Sequence, residues 1–181
     1  MINKDTGLID SAEFILSPNH DDRANETDIS LLIIHGISLP PGKFGGPYIT
    51  DLFTNQLDSS VDPFFEQIKH LRVSSHLLIR RDGSVLQYVP FHKRAWHAGQ
   101  SNFMGRDSCN DFSIGIELEG TDEQKYEDIQ YVRLIEITRD LQQAYPAITA
   151  DHIIGHCHVA PGRKTDPGDF FDWDFYKQSL D

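Results

Sequence analysis

The sequence predicts one α/β domain in which helices pack against a central β-sheet. Three observations predict it: several apolar runs of strand length, an Asp82-Gly83 turn between two of them, and one long segment with apolar residues at helical spacing. The 181 residues suffice to bury one hydrophobic core, and no repeat, low-complexity tract or linker divides them. We therefore expect a single domain spanning residues 1–181.

The first predicted strand is Ser30–His35, an apolar run rich in β-branched residues. Residues 36–54 follow it, and the density of Pro and Gly between positions 40 and 47 predicts a loop over this whole stretch. A loop of that length in a compact domain is usually functional. The segment His76–Val89 predicts a hairpin, because Asp82-Gly83 favours the positive φ of a tight turn.

A further strand is predicted over Phe112–Glu119, where the residues alternate strictly. One face then carries Ile114, Ile116 and Leu118, and the other carries Ser113, Gly115, Glu117 and Glu119. Helical spacing from about Asp122 to Tyr145 predicts a helix that ends before Pro146, with its apolar positions at Ile129, Val132, Ile135, Ile137 and Leu141. The last predicted strand is His152–His156.

Charge and composition exclude several classes of function. The 16 Lys and Arg residues face 28 Asp and Glu, a formal charge of −12, which disfavours binding to nucleic acid or to anionic membranes. The N-terminus has no apolar run of signal-peptide length, so we expect a cytoplasmic protein. In that compartment Cys109 and Cys157 are expected to be reduced thiols.

Two of the nine histidines stand at similar places. His35 and His156 each lie where an apolar strand meets a loop, although a lone histidine there is more often a structural residue. Lys164 and Asp166 lie two apart before Pro167, which favours an extended backbone and so points both side chains the same way. Taken together, His35, His156 and Asp166 form a set of two nitrogens and one carboxylate that suits a catalytic zinc ion with an open fourth position.

Glu117 is the candidate general base, because a carboxylate beside such a metal can take a proton from water and return it to a leaving amine. It shares its strand face with Glu119, and we expect one of the two to be merely solvated. Lys164 would then balance the negative charge of a tetrahedral oxyanion.

Four blocks, residues 31–46, 76–99, 109–122 and 153–168, resemble in order the N-acetylmuramoyl-L-alanine amidase type 2 family. This family is related to a phage lysozyme and to the peptidoglycan recognition proteins. The resemblance implies a mixed β-sheet flanked by helices and a groove for a muropeptide. It implies one zinc ion per chain on His35, His156 and Asp166, with Glu117 as acid/base and Lys164 as oxyanion stabiliser.

The same resemblance implies a reaction and a setting. The enzyme would hydrolyse the amide between (1,6-anhydro-)N-acetylmuramic acid and L-alanine during cytoplasmic recycling of peptidoglycan. The level of these anhydromuropeptides would otherwise signal β-lactamase induction. The expected partner is this small-molecule substrate, with no nucleic acid, membrane or protein partner.

Four further residues are candidates for substrate binding. Trp96 could stack on the anhydro sugar or be a core tryptophan in a hairpin loop, and His97 is expected to hydrogen-bond near the metal without ligating it. Arg72 and Arg106 could bind the carboxylates of the stem peptide or be ordinary surface arginines. Cys157 is not expected to be a ligand, because neighbours in a strand point to opposite sides.

Three positions depart from the family pattern, namely Gly36, Ser108 and His158, and they put peptide preference in doubt. Three other functions compete with the enzyme. A non-catalytic peptidoglycan-binding module would be expected to lack a ligand or the base, yet all five residues are present. A phage-type lysin acting on intact wall is disfavoured by the acidic charge, and a zinc regulator that binds nucleic acid is excluded by it.

Overall fold

The computed structural model describes residues 1–180. Its strands are β1 (Ile2–Asn3), β2 (Leu8–Ile9), β3 (Glu13–Phe14), β4 (His20–Asp22), β5 (Leu31–Ile37), β6 (Leu77–Ile79), β7 (Val85–Gln87), β8 (Lys93–Ala95), β9 (Asn102–Phe103), β10 (Arg106–Asp107), β11 (Ser113–Glu119) and β12 (Ile153–Gly155). Its α-helices are α1 (Tyr48–Phe53), α2 (Pro63–Ile68), α3 (Asp128–Ala144), α4 (His156–Val159) and α5 (Trp173–Gln178). Short 3-10 helices span Cys109–Asp111 and Ala150–His152. None of the helices in residues 1–180 is long and apolar enough to cross a membrane.

The main sheet has six strands in the order β12-β5-β11-β6-β7-β3. Strands β12, β5, β11 and β6 run parallel to one another, β6 and β7 form an antiparallel hairpin, and β3 pairs parallel with β7. Parallel neighbours need crossover connections. Helices α1 and α2 lie between β5 and β6, and α3 lies between β11 and β12, whereas β7 to β10 lie between β6 and β11. The predicted α/β class with a central mixed sheet and flanking helices is therefore confirmed.

Hydrophobic clusters cover both faces of the sheet. On one face Ile116 of β11 packs in a cluster with Leu134 of α3 and Tyr176 of α5, and all three are fully buried. On the other face Leu78 of β6 packs in a cluster with Phe65 of α2. Because successive residues of a strand point to opposite faces, the apolar runs in the sequence supply both layers at once.

The predicted hairpin is present. Leu77 pairs with Gln87 and Ile79 with Val85, and Gly83 adopts φ +81° in the turn between them. A side chain at this position would be strained, which is why the Asp-Gly pair was a reliable turn signal.

The prediction of a loop over residues 36–54 was wrong for its last part. Helix α1 occupies Tyr48–Phe53, directly after Pro47, and strand β5 continues two residues beyond His35. The Pro and Gly residues lie between 40 and 47, and a proline just before a helix does no harm, because the first N–H groups have no partner within the helix. Helix α2 was not predicted, although Asp62 caps it by accepting a hydrogen bond from Phe64 N at 3.0 Å.

The long helix begins at Asp128, six residues later than predicted. Its buried face also differs from the predicted apolar stripe, because Ile129 and Val132 are 38% and 46% exposed. Two polar residues, Gln130 and Thr138, take part in the buried face instead. Their hydrogen bonds make this possible: Gln130 Nε2 donates to Ile79 O at 3.1 Å, and the Thr138 hydroxyl bonds that of Tyr176 at 2.7 Å.

The segment before α3 explains why residue 36 is glycine. Tyr126 folds inward there, and its hydroxyl donates a hydrogen bond to Pro167 O at 2.8 Å. A Cβ on Gly36 would lie 2.3 Å from that hydroxyl oxygen. Glycine is therefore required by the close approach of Tyr126 to strand β5.

This contact predicts a coupled pair of substitutions. Gly36→Ala should lower the free energy of unfolding by about 1–3 kcal/mol through overpacking. Tyr126→Phe should cost about 0.5–1.5 kcal/mol, because its hydrogen bond is lost. In the double variant the new methyl group gains the space of the missing hydroxyl, so the total loss should be smaller than the sum by about 1 kcal/mol. Equilibrium denaturation of the four proteins measures this coupling.

The control combines Gly36→Ala with Tyr48→Phe, a tyrosine that contacts Gly46 rather than Gly36. This pair should be additive. Additive behaviour of Gly36→Ala with Tyr126→Phe as well would show that the hydroxyl does not limit the space at residue 36.

Candidate active site

Two functional side chains meet because two parallel strands are in register. His35 of β5 and Glu117 of β11 are direct partners across the sheet. Both side chains point to the same face, and their nearest atoms, His35 Nδ1 and Glu117 Oε1, are 4.0 Å apart. Both residues are buried, with 1% and 8% of their surface exposed.

His156 and Asp166 complete the group. His156 is the first residue of α4, directly after β12, which pairs with β5 on the side away from β11. His35 Nδ1 lies 3.0 Å from His156 Nδ1 and 3.2 Å from Asp166 Oδ2, and the third distance, from His156 Nδ1 to Asp166 Oδ2, is 3.1 Å. Within residues 1–180 this is the one set of three or more His, Cys, Asp or Glu side chains that could hold a metal ion.

The outer ring nitrogens determine how the two histidines face. His35 Nε2 lies 2.9 Å from His97 Nδ1, and His156 Nε2 lies 3.2 Å from the carbonyl oxygen of Ala98. His97 in turn contacts the Ser113 hydroxyl through Nε2 at 3.1 Å. With these outer nitrogens engaged, both Nδ1 atoms are directed at Asp166. Outer hydrogen bonds of this kind orient metal-binding histidines.

His97 can take this position because residue 115 is glycine. A Cβ on Gly115 would lie 2.5 Å from His97 Nδ1, so the imidazole packs directly on the backbone of β11. The Asn110 side chain holds the His97 segment from the other side, since its Oδ1 accepts hydrogen bonds from the backbone N–H groups of His97 and Ala98 at 3.2 and 2.8 Å. His97 thus lies beside His35 and outside the set formed by His35, His156 and Asp166.

Behind His97 lies a buried polar network that sequence analysis missed. Arg23 is 5% exposed, and its guanidinium donates to the backbone oxygens of Asn110, Asp111 and Ser113 at 3.0, 3.0 and 2.7 Å. The same guanidinium lies 3.2 Å from His76 Nε2. A lone arginine in a polar N-terminal segment carries no sequence signal for burial, because its partners are backbone carbonyls from distant residues.

Burial determines the charge of these groups. It lowers the pKa of His35 to about 4, and burial together with the proximity of His35 holds the pKa of His97 well below its usual range. Burial would raise the pKa of Asp166, but hydrogen bonds from His156 and His35 outweigh it and hold that pKa well below its ordinary value. At neutral pH His35 and His97 are therefore uncharged and Asp166 is ionised, which are the states that bind a metal.

Glu117 has the environment of a general acid/base. Burial, reinforced by the nearby charge of Asp166, raises its pKa well above the ordinary value of a glutamate. Its Oε2 atom is buried and makes no hydrogen bond among the described residues. A raised pKa brings a carboxyl group closer to neutral pH, where it can both accept and release a proton.

A cavity of about 310 Å³ opens onto these side chains. Its lining includes the polar side chains of His35, His156, Asp166, Glu117 and Lys164. The opposite wall is apolar. It comes largely from helices α1 and α2, the segment between β5 and α1, and the residues that follow α2. Its apolar residues are Leu39, Leu52, Phe53, Phe64, Ile68 and Leu71. Lys164 and Asp166 do share this cavity, although the segment around them is a series of turns rather than the predicted extended chain.

The other predicted substrate contacts lie elsewhere in this structure. Trp96 is absent from the cavity lining, and its indole N–H donates to Asp21 Oδ1 at 3.1 Å. Arg72 is exposed and donates to the backbone oxygens of Lys69 and Leu71. Arg106 pairs with Asp28 at 2.7 Å and stacks on Phe112, with its guanidinium carbon 3.8 Å from the ring centre.

We expected one of Glu117 and Glu119 to be merely solvated. This expectation was wrong, because both are buried, with 8% and 2% of their surface exposed. Its carboxylate accepts hydrogen bonds from the backbone N–H of Gly45 at 2.7 Å and of Arg81 at 3.2 Å. Glu119 thus ties the Pro/Gly-rich segment to the strand that carries Glu117. Alternation along the strand placed both glutamates on one face but could not show that a distant loop covers the second.

Two of the departures from the family pattern have local roles. His158 accepts a hydrogen bond from Gly155 N at Nδ1, 3.0 Å away, and Ser108 adopts φ +61° before a 3-10 helix.

Cys157 lies in α4, not in a strand, so the reason given for excluding it as a metal ligand was wrong. It nevertheless lies outside the set formed by His35, His156 and Asp166. Cys109 and Cys157 are both free thiols.

A family model described as N-acetylmuramoyl-L-alanine amidase matches residues 25–169. The chain belongs to this amidase family. The match spans β5, β11, β12 and every residue of the candidate site, and it confirms the predicted enzyme class, an N-acetylmuramoyl-L-alanine amidase.

Known members of the amidase family are closely similar. A curated relative from Salmonella typhimurium, 1,6-anhydro-N-acetylmuramyl-L-alanine amidase AmpD, is 59% identical over 93% of this chain and 90% of its own length. The crystal structure of a selenomethionine AmpD derivative matches with a TM-score of 0.96 at 52% identity, covering 100% of this chain and 99% of that one. A complex of the Escherichia coli amidase AmiD with anhydro-N-acetylmuramic acid-L-Ala-D-gamma-Glu-L-Lys matches at 27% identity and a TM-score of 0.63, covering 98% of this chain and 65% of that one.

The buried carboxylate of Glu119 gives a prediction for this amidase. Glu119→Ala leaves the N–H groups of Gly45 and Arg81 without their acceptor, so the free energy of unfolding should fall by about 2–5 kcal/mol. Hydrogen exchange at the Gly45 amide should become faster than in the parent protein. The exposed Glu123 is the control, and Glu123→Ala should change stability by less than about 0.5 kcal/mol. Unchanged exchange at Gly45 in Glu119→Ala would show that the carboxylate does not hold this segment.

Proposed function

We propose that this chain is a zinc-dependent amidase that hydrolyses the amide bond between 1,6-anhydro-N-acetylmuramic acid and L-alanine in muropeptides. The observation that carries the proposal is the convergence of His35, His156 and Asp166 beside Glu117 at the base of one cavity. The names of the AmpD relatives and the ligand of the AmiD complex support the anhydro sugar as part of the substrate. We propose residues 1–181 as a single amidase domain.

The three side chains fit a zinc ion. In a tetrahedral site with ligands 2.0–2.1 Å from the metal, the ligand atoms are roughly 3.3 Å from one another. The three donor atoms here are separated by 3.0, 3.1 and 3.2 Å. Two imidazoles and one carboxylate are also the donor types of catalytic zinc sites, with a fourth position left open. Bound at this position, zinc would supply Lewis-acid activation of a water molecule and of the scissile carbonyl.

Glu117 moves the proton in the proposed reaction. Its carboxylate accepts a proton from the attacking water as the oxygen adds to the carbonyl carbon. The resulting carboxylic acid then donates this proton to the nitrogen of L-alanine as the carbon–nitrogen bond breaks. The unpartnered Oε2 and the raised pKa of Glu117 support both roles, because they favour a proton at this site during part of the cycle.

Lys164 stabilises charge in the same step. Lys164 belongs to the lining of the cavity together with Glu117 and Asp166, and its positive charge acts to lower the pKa of Glu117. The tetrahedral oxyanion that forms on the carbonyl oxygen gains from a positive charge placed there before the reaction. The apolar wall opposite helps to exclude bulk water, which strengthens these interactions.

Other side chains concern the parts of the site beyond the scissile bond. We propose His97 as the residue that orients His35. Contacts from Trp96, Arg72 or Arg106 would require movement, because all three side chains are engaged with other groups. We propose peptidoglycan recycling in the cytoplasm as the setting, which agrees with the acidic charge of −12 and with the small cavity.

A non-catalytic binding module and a lysin that acts on intact wall are the competing functions. The complete set of ligands, base and lysine in one cavity favours turnover over binding alone. A cavity of about 310 Å³ suits a sugar with a short peptide better than a polymer.

The purified protein should contain one equivalent of zinc per chain. His156→Ala and Asp166→Ala should each lose most of it, because either change removes one of three ligands. Elemental analysis measures the content, and a chelator should abolish activity until zinc is restored. The exposed His70 offers the control, since His70→Ala should keep the full equivalent. Retention of full zinc by both ligand variants would contradict the assignment.

Glu117→Gln separates chemistry from binding. The amide keeps the shape of the side chain but has no basic oxygen, so turnover should fall by roughly 10²–10⁴-fold. Zinc content and substrate affinity should stay near those of the parent. Lys164→Ala should show the same separation with a loss of roughly 10²–10³-fold. Metal content and turnover are measured on the same preparations.

The control for this prediction is Glu123→Gln, an exposed glutamate outside the cavity, which should leave turnover unchanged. Near-normal turnover by Glu117→Gln would refute its role as acid/base. Loss of zinc together with activity would instead make Glu117 a metal ligand.

The substrate prediction concerns the sugar. An anhydromuropeptide should be cleaved well ahead of the same peptide on a reducing N-acetylmuramic acid, and intact wall should be a poor substrate. Mass spectrometry of the released sugar and peptide, with and without chelator, gives the rates. Equal rates on both soluble substrates would argue against recognition of the anhydro ring, and preference for the polymer would favour a lysin.

A further inference from the structure

A second and larger cavity lies away from the metal-binding group. It has a volume of about 600 Å³ and shares no lining residue with the active-site cavity. Six aromatic side chains line it: Tyr126, Tyr131, Phe170, Phe171, Trp173 and Phe175. We refer to it as the aromatic cavity. Its volume is within the range of small-molecule sites, which are usually apolar with a few polar groups.

Two of the six aromatic side chains are largely exposed, whereas Tyr126, Tyr131 and Phe171 are only 4%, 5% and 3% exposed. Phe170 is 48% exposed and Phe175 is 50% exposed. The Phe175 ring meets Tyr131 edge to face, with centres 5.6 Å apart, and the Phe171 and Trp173 rings are 4.6 Å apart. The planes of the first pair are at 89° to each other and those of the second pair at 60°. Ring faces carry the negative end of the aromatic quadrupole.

The polar part of the lining is acidic. It comprises Asp128, Asp169, Asp172 and Asp174 against a single cation, Lys125. No ion pair engages any of these five side chains within residues 1–180. These four carboxylates and one ammonium group give the lining a formal charge of −3. The Asp172 carboxylate also accepts a hydrogen bond from Phe175 N at 2.9 Å.

From this combination we propose that the aromatic cavity is a second binding site, selective for small organic cations with an apolar body, such as arylalkylammonium ions. The apolar body displaces water from the aromatic walls, as expected for a site of this volume. The cation gains both from the ring faces and from the unpaired carboxylates. An anion of the same size is attracted neither by the ring faces nor by the carboxylates. A neutral isostere gains only the contact of its apolar body with the aromatic rings.

One cation of the chain already lies near this lining, since Lys177 Nζ is 5.8 Å from the centre of the Trp173 ring. Lys177 itself does not belong to the cavity lining. The site is independent of zinc and of the proposed amidase reaction, so each proposal can fail without the other.

The test is a titration of the purified full chain with three probes of one shape: phenethylammonium, 2-phenylethanol and phenylacetate. The chain has two tryptophans, and their indole N–H resonances report separately on the aromatic cavity (Trp173) and on a distant position (Trp96). Trp96→Phe assigns the two signals. We expect phenethylammonium to shift the Trp173 signal saturably, with a Kd on the order of 1 mM for so small a ligand.

Two variants test the source of the affinity. Phe175→Ala should weaken binding of phenethylammonium about fivefold through the lost ring. Asp169→Asn should weaken it about twofold to threefold, and added salt should weaken it further. Both residues are exposed, so the fold should be preserved. The matched controls are Phe14→Ala, at a phenylalanine that is 42% exposed, and Asp151→Asn, at an exposed aspartate, and neither should change the Kd.

Three outcomes would overturn the proposal. The first is equal affinity for 2-phenylethanol, which would leave an apolar pocket without selection for charge. The second is the absence of a saturable Trp173 shift up to about 20-fold above the expected Kd. The third is a dimer in sedimentation that Phe175→Ala disrupts while no probe binds, which would assign the exposed rings to contact between copies of the chain.

Discussion

The parallel register between β5 and β11 is the constraint on which the candidate active site depends. It sets His35 directly beside Glu117, and the pairing of β12 with β5 brings His156 to the other side of His35. A shift of β11 by one residue would place Ile116 or Leu118 opposite His35 and turn Glu117 into the core. Apolar side chains on the opposite face prevent that shift, since Ile116 and Leu118 are fully buried there.

The polar side chains behind the site are held by hydrogen bonds rather than by ion pairs. His97 connects His35 to Ser113, and Arg23 behind it is satisfied by backbone oxygens. An unsatisfied buried donor would be costly, so these bonds also limit how the rings can turn. The histidines near the metal-binding group are thereby directed before any ligand arrives. Gly115 is part of the same arrangement, because no other residue leaves room for the His97 ring.

The two cavities belong to different layers of the molecule. The apolar wall of the active-site cavity belongs to the cluster around α1 and α2, whereas Tyr126, Tyr131 and Phe171 of the aromatic cavity belong to the cluster around α3 and α5. Tyr126 lies between the layers, with its hydroxyl at Gly36 and Pro167 and its ring in the aromatic cavity. The apolar linings of the two cavities thus belong to different hydrophobic clusters.

Local features and the available types of side chain follow from the amino-acid sequence alone. Period-two alternation predicted β11, the Asp82-Gly83 turn predicted the hairpin, and the donor types at His35, His156 and Asp166 predicted a zinc set. These signals are local, because backbone sterics and side-chain periodicity act over a few residues. Only the tertiary structure decided which distant groups meet. In the folded protein Gly45 N donates a hydrogen bond to Glu119, and Arg23 is buried. The Trp96 indole donates to Asp21, and α3 begins only at Asp128, after the inward-facing Tyr126. Such contacts depend on strand pairing and packing between segments far apart in the chain, which no local pattern encodes.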